Sequence, residues 1–384
     1  MSYNKYKLSC IATIKTGKLD SNASVINGAY PFFTCSPETF TTNTFSFDTE
    51  AVLLAGNNAN GNYTAKYYCG KFDVYQRTYV IESKDNKILD ARYLYYALNM
   101  KLAELKSVSA GSTTKFLTKV ILDNLLIVCP SLLAQHRIAS ILSAYDDLIE
   151  NNRRQIKLLE EAAMRLYREW FVYLRFPGYE GVKVVDGVPE GWEWKQISDM
   201  GQVITGKTPP TDDSSYYGNL IPFIKIPDMH NNVYPIMTET KLSLEGAEYQ
   251  KNKMIPPGSI IVSCIATVGL TCMTHELCQT NQQINAVIPF NRENLYYLYL
   301  HTCGIKTMLQ GLGSNGATMT NVNKTKLANI SILLPSKHLI LQFNVIVSPC
   351  FRSILTLTRK IVKLQQSRDL LLPKLMRGEI DVGA

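Results

Sequence analysis

A chain of 384 residues, 46% hydrophobic and 19% charged, is too long for one small domain and too apolar for a disordered one, so two or three folded domains are expected. Its formal net charge of +8, with a pI of about 8.9, leans toward an anionic partner but falls far short of a histone-like excess. Nine cysteines, none in a C-x-x-C pair, sit in apolar segments such as 127–129 and 261–264, and the N-terminal MSYNKYKLSC has no apolar signal core. No apolar run approaches membrane-spanning length, so the expectation is a cytoplasmic chain with reduced, buried thiols and no membrane association.

The elements then appear twice. The first half offers a glycine–lysine turn in TIKTGKLD (13–20), an apolar-aromatic strand in YPFFTCSPE (30–38) and a strand in YQRTYVI (75–81). A short amphipathic helix in RYLYYAL (92–98), a small-polar loop in GSTTKF (111–116) and a strand in LDNLLIVCPS (122–131) follow. The second half repeats them as VITGKTPP (203–210), IPFIKIPDM (221–229), NQQINAV (281–287), NLYYLYL (294–300), GSNGATM (313–319) and LANISILLPS (327–336). This sets Gln76 over Gln282 and Arg77 over Gln283. A period of about half the chain is too long for a solenoid and fits a duplicated module. Strands alternating with helices and glycine-rich loops make each module an α/β or α+β domain, expected at 1–130 and 177–336.

Each module runs into a long helix, at 131–176 and 337–384. In the first, Leu142, Tyr145, Ile149, Asn152, Ile156, Leu159, Ala163, Leu166, Trp170 and Tyr173 step by threes and fours. That is a coiled-coil seam whose one polar member, Asn152, would set register. Arg153, Arg154, Lys157, Glu160, Glu161, Arg165 and Arg168 fall outside it, and Pro177-Gly178 ends the run. The second helix carries Ile354, Ile361, Leu364, Leu371 and Leu375, with Arg359, Lys360, Lys363 and Arg368 outside. Pro349 and Pro373 are expected to bend or shorten it. The simplest pairing is an antiparallel coiled coil joining two globular domains with pseudo-two-fold internal repetition, a spacer on the order of 60 Å for about 40 helical residues. Trp170, Phe171 and Tyr173 read as apolar surface for a partner.

GQVITGKT (201–208) matches G-x-x-x-x-G-K-[ST], the loop that cradles nucleotide phosphates. That loop needs a helix starting at Lys207-Thr208, and Pro209-Pro210 opposes one. The first copy, CIATIKTGKLD, lacks both the first glycine and the Ser/Thr, so the stretch reads as a turn bearing a lysine. Lys18 and Lys207 then stand at equivalent loop tips, suited to a phosphate backbone. Gln76-Arg77 and Asn281-Gln282-Gln283 carry side chains that read guanine and adenine edges; if both face a groove, the first half reads G-containing and the second A-containing sequence, the alternative being a strand with outward polar residues.

The donor-rich loop of Asn57, Asn58, Asn60, Gly61 and Asn62, followed by Lys66, extends the candidate DNA-binding set. So do the loops 111–115 and 313–318, with Lys115, Lys119, Thr318, Lys324 and Lys326; each is equally readable as an ordinary solvated turn. Cys272-x-x-His275-x-x-Cys278, with Cys264 nearby, has atypical spacing for zinc and no counterpart in the first copy, so no metal is expected. There is no Asn/Asp-Pro-Pro-aromatic methyltransferase loop, no metal-binding acid cluster and no Ser/His/Asp arrangement, so the chain is not expected to be an enzyme.

GAYPFF (28–33), FDTEAVLLAGNNANGNY (47–63), KFDVYQRTYVI (71–81), GWEW (191–194), TGKTP (205–209), IPFIKIPDM (221–229), PPGSIIVSCIATVG (256–269) and LLPKLMRGEI (371–380) stand in a telling order. Over nearly the whole chain they resemble the specificity (S) subunit of type I restriction–modification enzymes. The resemblance implies two target-recognition domains, each reading one half of a bipartite double-stranded DNA site, with the helices setting the gap. It also implies two methyltransferase (M) subunits docked on the helices and restriction (R) subunits added for cleavage. S-adenosylmethionine, ATP and Mg would belong to those partners, and this chain would hold no cofactor. The rival reading is a structural adaptor with two protein-binding domains on a coiled coil and no DNA role.

Overall fold

In the computed structural model, which describes residues 4–111, 114–313 and 321–383, the repeat in the sequence becomes a repeat of strand pairings. The chain divides into two units, Met1–Leu148 with Leu364–Ala384, and Ile149–Lys363.

Unit 1 begins with β1 (Asn4–Lys7), α1 (Leu8–Ile11) and β2 (Ala12–Thr16), followed by β3 (Tyr30–Phe33), β4 (Thr39–Thr42), β5 (Phe47–Ala55) and β6 (Asn57–Asn58). Then come β7 (Ala65–Val74), β8 (Thr78–Ser83), α2 (Ala91–Val108), β9 (Lys115–Phe116), α3 (Lys119–Asp123), β10 (Leu126–Cys129) and the start of α4 (Leu132–Tyr167). Six strands form one sheet in the order β2-β8-β5-β7-β3-β4, antiparallel except where β3 meets β7. The central strand β5 ends in a continuous apolar run because both of its faces are covered. Successive side chains point to opposite faces: Val52 and Leu54 join Tyr93, Leu94 and Leu98 of α2, while Ala51 and Leu53 join Phe33, Phe72, Val74 and Val80. Asp90 caps α2 by accepting from Tyr93 N–H at 2.6 Å, a contact of about 1 kcal/mol.

Unit 2 holds β11 (Val184–Val185), β12 (Val188–Pro189), β13 (Glu193–Gln196), α5 (Ile197–Met200), β14 (Gly201–Thr205), β15 (Tyr217–Ile224) and α6 (Ile226–Met229). It continues with β16 (Thr240–Leu242), α7 (Leu244–Tyr249), β17 (Ile260–Ser263), β18 (Thr271–Met273), β19 (Gln279–Thr280) and β20 (Ile284–Pro289). The helices α8 (Leu295–Gly304), α9 (Lys306–Gly313) and α10 (Lys324–Ala328), the strand β21 (Ser331–Leu334) and the start of α11 (Lys337–Met376) complete it. Here the sheet is split into β14-β20-β17-β18 and β16-β15-β19. The correspondence with unit 1 is nonetheless direct. The ribbon β13–β21 repeats β1–β10, β14-β20-β17 repeats β2-β8-β5, and the parallel pair β15–β19 repeats β3–β7.

The long helices are shared by both units. In unit 1, Ile138, Ala139 and Leu142 of α4 enter the same core as Leu375 and Met376 of α11. In unit 2, Ala163 and Tyr167 at the other end of α4 meet Phe343, Val347, Phe351 and Ile354 near the start of α11. Opposite ends meet in each unit, so the helices run antiparallel as a coiled coil. Of the expected seam, Leu142, Ile149, Asn152, Ala163, Trp170, Ile354, Ile361 and Leu375 are buried, and Tyr145, Ile156, Leu159, Leu166, Leu364 and Leu371 are half-buried.

Three expectations fail here, and for the prolines one of two alternatives is removed. Pro349 and Pro373 do not shorten α11, which runs unbroken for 40 residues. The carbonyls they leave without an N–H partner belong to Val345 and Asp369, both exposed, where water can replace the missing donor. Glu160 and Arg368 do not face outward. Glu160 lies beside Tyr299 and Cys303, and Arg368 donates to Asp146 at 2.5 Å. Trp170 and Phe171 are not free surface either: α4 widens into one π-turn at Arg168–Val172 that folds them onto Phe343, while Tyr173 stays 55% exposed, off the seam. Finally, α11 does contain an 18-residue window apolar enough to cross a membrane by length and composition. Its inner face is the core just described, and Leu341, Val345 and Ile346 on the other face supply the excess hydropathy.

Candidate nucleic-acid interface

Both units build one corner of the sheet from the same backbone bonds. Tyr75 N–H donates to Phe33 O and Asn281 N–H to Ile224 O, at 2.9 and 3.3 Å. The next turn closes by Thr78 N–H to Tyr75 O in one unit and Ile284 N–H to Asn281 O in the other. Gly56 N–H donates to Arg77 O and Cys264 N–H to Gln283 O; Leu117 N–H then donates to Gly56 O and Val322 N–H to Cys264 O, all within 2.8–2.9 Å. Tyr75 and Asn281, Gln76 and Gln282, Arg77 and Gln283 therefore occupy equivalent places.

The glycine–lysine turns pack against this corner. A Cβ on Gly17 would stand 1.9 Å from Val74 O, and one on Gly206 would stand 2.4 Å from Thr280 O, so each glycine is required by close backbone approach. In unit 2 the amide of Gly206 donates to Ile284 O and that of Lys207 to Thr280 O, both at 3.0 Å. Those are amides that a phosphate loop would leave free, and no helix follows them. The turn offers its lysine, not its backbone.

A family model described as Type I restriction modification DNA specificity domain matches residues 2–161 and 189–343, covering both copies of the corner. The chain belongs to this specificity family. It is 33% identical over 365 residues to the HindI specificity subunit of Haemophilus influenzae, spanning 78% of this chain and 80% of that one. With the MjaIX specificity subunit of Methanocaldococcus jannaschii it shares 28% over 311 residues, spanning 76% and 69%. The solved S subunit of a type I restriction–modification system from M. genitalium has the same fold, with a TM-score of 0.62 at 15% identity over 97% of this chain and 96% of that one. The family contributes DNA recognition that directs methyltransferase and restriction subunits; it is non-catalytic and carries no catalytic cofactor of its own.

The side chains on this specificity-family corner differ between units. In unit 1, Lys18 and Arg77 are exposed and make no side-chain hydrogen bond or ion pair among the described residues, while Gln76 Nε2 donates to Asp20 Oδ1 at 2.6 Å. Asn57 pairs with Phe116 through β6 and β9, and Asn58 Oδ1 accepts from the backbones of Asn60 and Asn62, which leaves Asn60 exposed at a self-bonded tip. Lys115 lays its methylenes against Gly61 in the same loop cluster. In unit 2, Lys207 Nζ lies 5.3 Å over the Tyr249 ring, Thr208 Oγ1 bonds Gln282 Oε1 at 2.6 Å, and Asn281 bonds Gln283.

The remaining candidates are placed differently. Lys66 points inward, donating to Glu38 O at 2.6 Å over the Phe33 ring, and burial lowers its pKa to about 8. Lys119 pairs with Asp123 along α3, and Lys326 donates to Leu312 O. Lys324 is exposed at the first turn of α10, and Thr318 lies outside the described residues. Cys272 donates to Asn232 O, its thiol pushed well up by burial, and Cys278 is raised to about 12. Among the described residues no group of three or more possible ligands could hold a metal.

Sequence reasoning missed the residues that support the corner. Buried Gln250 donates from Nε2 to Lys207 O and Gln279 Oε1, fixing the lysine turn. Cys35 Sγ donates to Arg77 O, and Ala266 takes φ +62° beside exposed Thr267 at the tip that follows β17. None of these has a local signature, and Gln250 and Cys35 find their partners in segments distant in sequence.

Proposed function

We propose that each unit reads one half of a split double-stranded DNA site. Lys18, Gln76, Arg77 and the Asn57–Asn60 loop with Lys115 act in unit 1; Lys207, Asn281, Gln282 and Gln283 act in unit 2. The observation that carries this reading is the corner built twice from identical backbone bonds and presented with different side chains, which suits two half-sites of different sequence. Two M subunits dock on α4 and α11, for which the exposed Leu341, Val345 and Ile346 offer apolar area, and R subunits join for cleavage in the cytoplasm. S-adenosylmethionine, ATP and Mg act in those partners.

Methylome sequencing of a host carrying this chain with its M subunit tests the proposal. A split motif methylated only when this chain is present is the expected result. An unchanged methylome with an active M subunit would favour the adaptor reading.

A further inference from the structure

Hydrogen bonds in the two corners fix which way two glutamine amides face. In unit 1, Gln76 Nε2 donates to Asp20 Oδ1 at 2.6 Å. A carboxylate only accepts, so the nitrogen is the atom turned toward Asp20 and Oε1 is left without a partner among the described residues. In unit 2 the backbone N–H of Gln283 donates to Asn281 Oδ1 at 3.2 Å, which makes Nδ2 the other end of that amide. Nδ2 donates to Gln283 Oε1 at 3.1 Å, so the Gln283 oxygen is engaged and its own side-chain N–H groups have no partner among the described residues. The Thr208 hydroxyl beside Gln282 both donates and accepts, and sets no such direction.

We infer that Asp20 and Asn281 are positioning residues for sequence specificity. Asp20 makes Gln76 a reader of base-edge amino groups; Asn281 makes Gln283, like Arg77 at the equivalent place, a reader of base-edge acceptors. The inference rests on the split-site reading above. In the major groove the amino groups are adenine N6 and cytosine N4, and the acceptors are guanine O6 and N7, adenine N7 and thymine O4. A free glutamine offers both ends of its amide to adenine. A held one keeps its remaining N–H groups and lone pair, but its turn is fixed: Gln283 presents two free N–H groups against a single free lone pair, and so favours an acceptor-rich base such as guanine over the adenine expected from residue type alone.

The test compares methylation motifs of the wild-type chain with Asn281→Asp, Asn281→Ala and Asp20→Ala, each expressed with the M subunit. The Asn281→Asp carboxylate still accepts the Gln283 backbone N–H, but its other oxygen can only accept, so the Gln283 amide must turn over. The expected result is a changed base preference at one position of one half-site, on the order of tenfold or more, with every other position kept. Asn281→Ala should make that same position degenerate, and Asp20→Ala should relax one position in the other half-site. A uniform slowing with the motif unchanged in all three variants overturns the inference. Because the variants lie in different units, a folding failure in one leaves the decision with the other. A wild-type chain that yields no split motif would instead overturn the function on which the inference rests.

Discussion

Unit 1 and unit 2 anchor the helix behind their sheet with the same tyrosine and then diverge. Tyr93 Oη donates to Val128 O at 2.6 Å, and Tyr297 Oη donates to Leu333 O at 2.5 Å. Beyond that point unit 1 uses a polar junction: Asp146 accepts from Tyr96 Oη at 2.6 Å and from Arg368 at 2.5 Å, joining α2, α4 and α11. Unit 2 uses rings. Tyr296 stacks on Phe351 at 4.7 Å, Tyr299 meets it edge-on, and Phe171 and Trp170 close on Phe343. One backbone plan thus tolerates two kinds of contact between recognition domain and helix. The polar kind depends on direction and fails when one partner is lost; the aromatic kind depends on volume.

The largest expected effect falls on the aromatic junction. Phe343→Ala should cost about 3–5 kcal/mol in unit 2, read as an earlier denaturant transition for that unit. Asp146→Ala strands the Tyr96 hydroxyl and leaves Arg368 paired only with Asp369, and should cost unit 1 about 1–3 kcal/mol while leaving the unit 2 transition in place. If either substitution shifts both transitions equally, the units do not unfold as separate bodies and the comparison breaks.

Acidity sharpens the contrast further. Burial, then the neighbouring Glu161, holds the Glu160 carboxyl at about 7 against an ordinary 4.5. A raised carboxyl means the folded state keeps its proton longer. The contribution is full below pH about 4.5, is lost progressively as pH rises to about 7, and stays lost above. Urea midpoints of unit 2 should fall across that window, and Glu160→Gln should flatten the fall. The smallest effect concerns the lysines. Lys18→Ala and Lys207→Ala should each reduce the slope of log affinity for DNA against log salt by about one, whereas Lys66→Met should leave it unchanged.

The duplication was legible because strings such as LDNLLIVCPS and LANISILLPS preserve the same pairings and caps, with Thr118 and Asn323 each accepting from the third residue of a short helix. The helical seam was legible for the same reason: a period of three and four survives in any register. What escaped was decided by elements remote in sequence. Glu160 occupies an outward position of its own helix, but α8 covers that position with Tyr299 and Cys303. Lys66 looks free along β7 until the loop before β4 brings Glu38 O to it. In the corner itself, residue types pointed to Gln76, Arg77, Asn281, Gln282 and Gln283, while Asp20 and Gln250, and the hold of Asn281 on Gln283, come only from hydrogen-bond direction.

The division of the chain also orders its birth. Unit 2 is one uninterrupted stretch, Ile149–Lys363, whereas unit 1 takes Leu375 and Met376 into its core from the far end of α11. Arg137 near the start of α4 bonds the carbonyls of Val382 and Gly383 as well. At roughly 5–20 residues per second of synthesis, the recognition sheet made first must wait about 1–4 s after unit 2 is complete for the segment that closes its own core. The second half of the protein is therefore able to finish folding before the first, and a chain cut short at residue 363 would carry one finished reader and one open one.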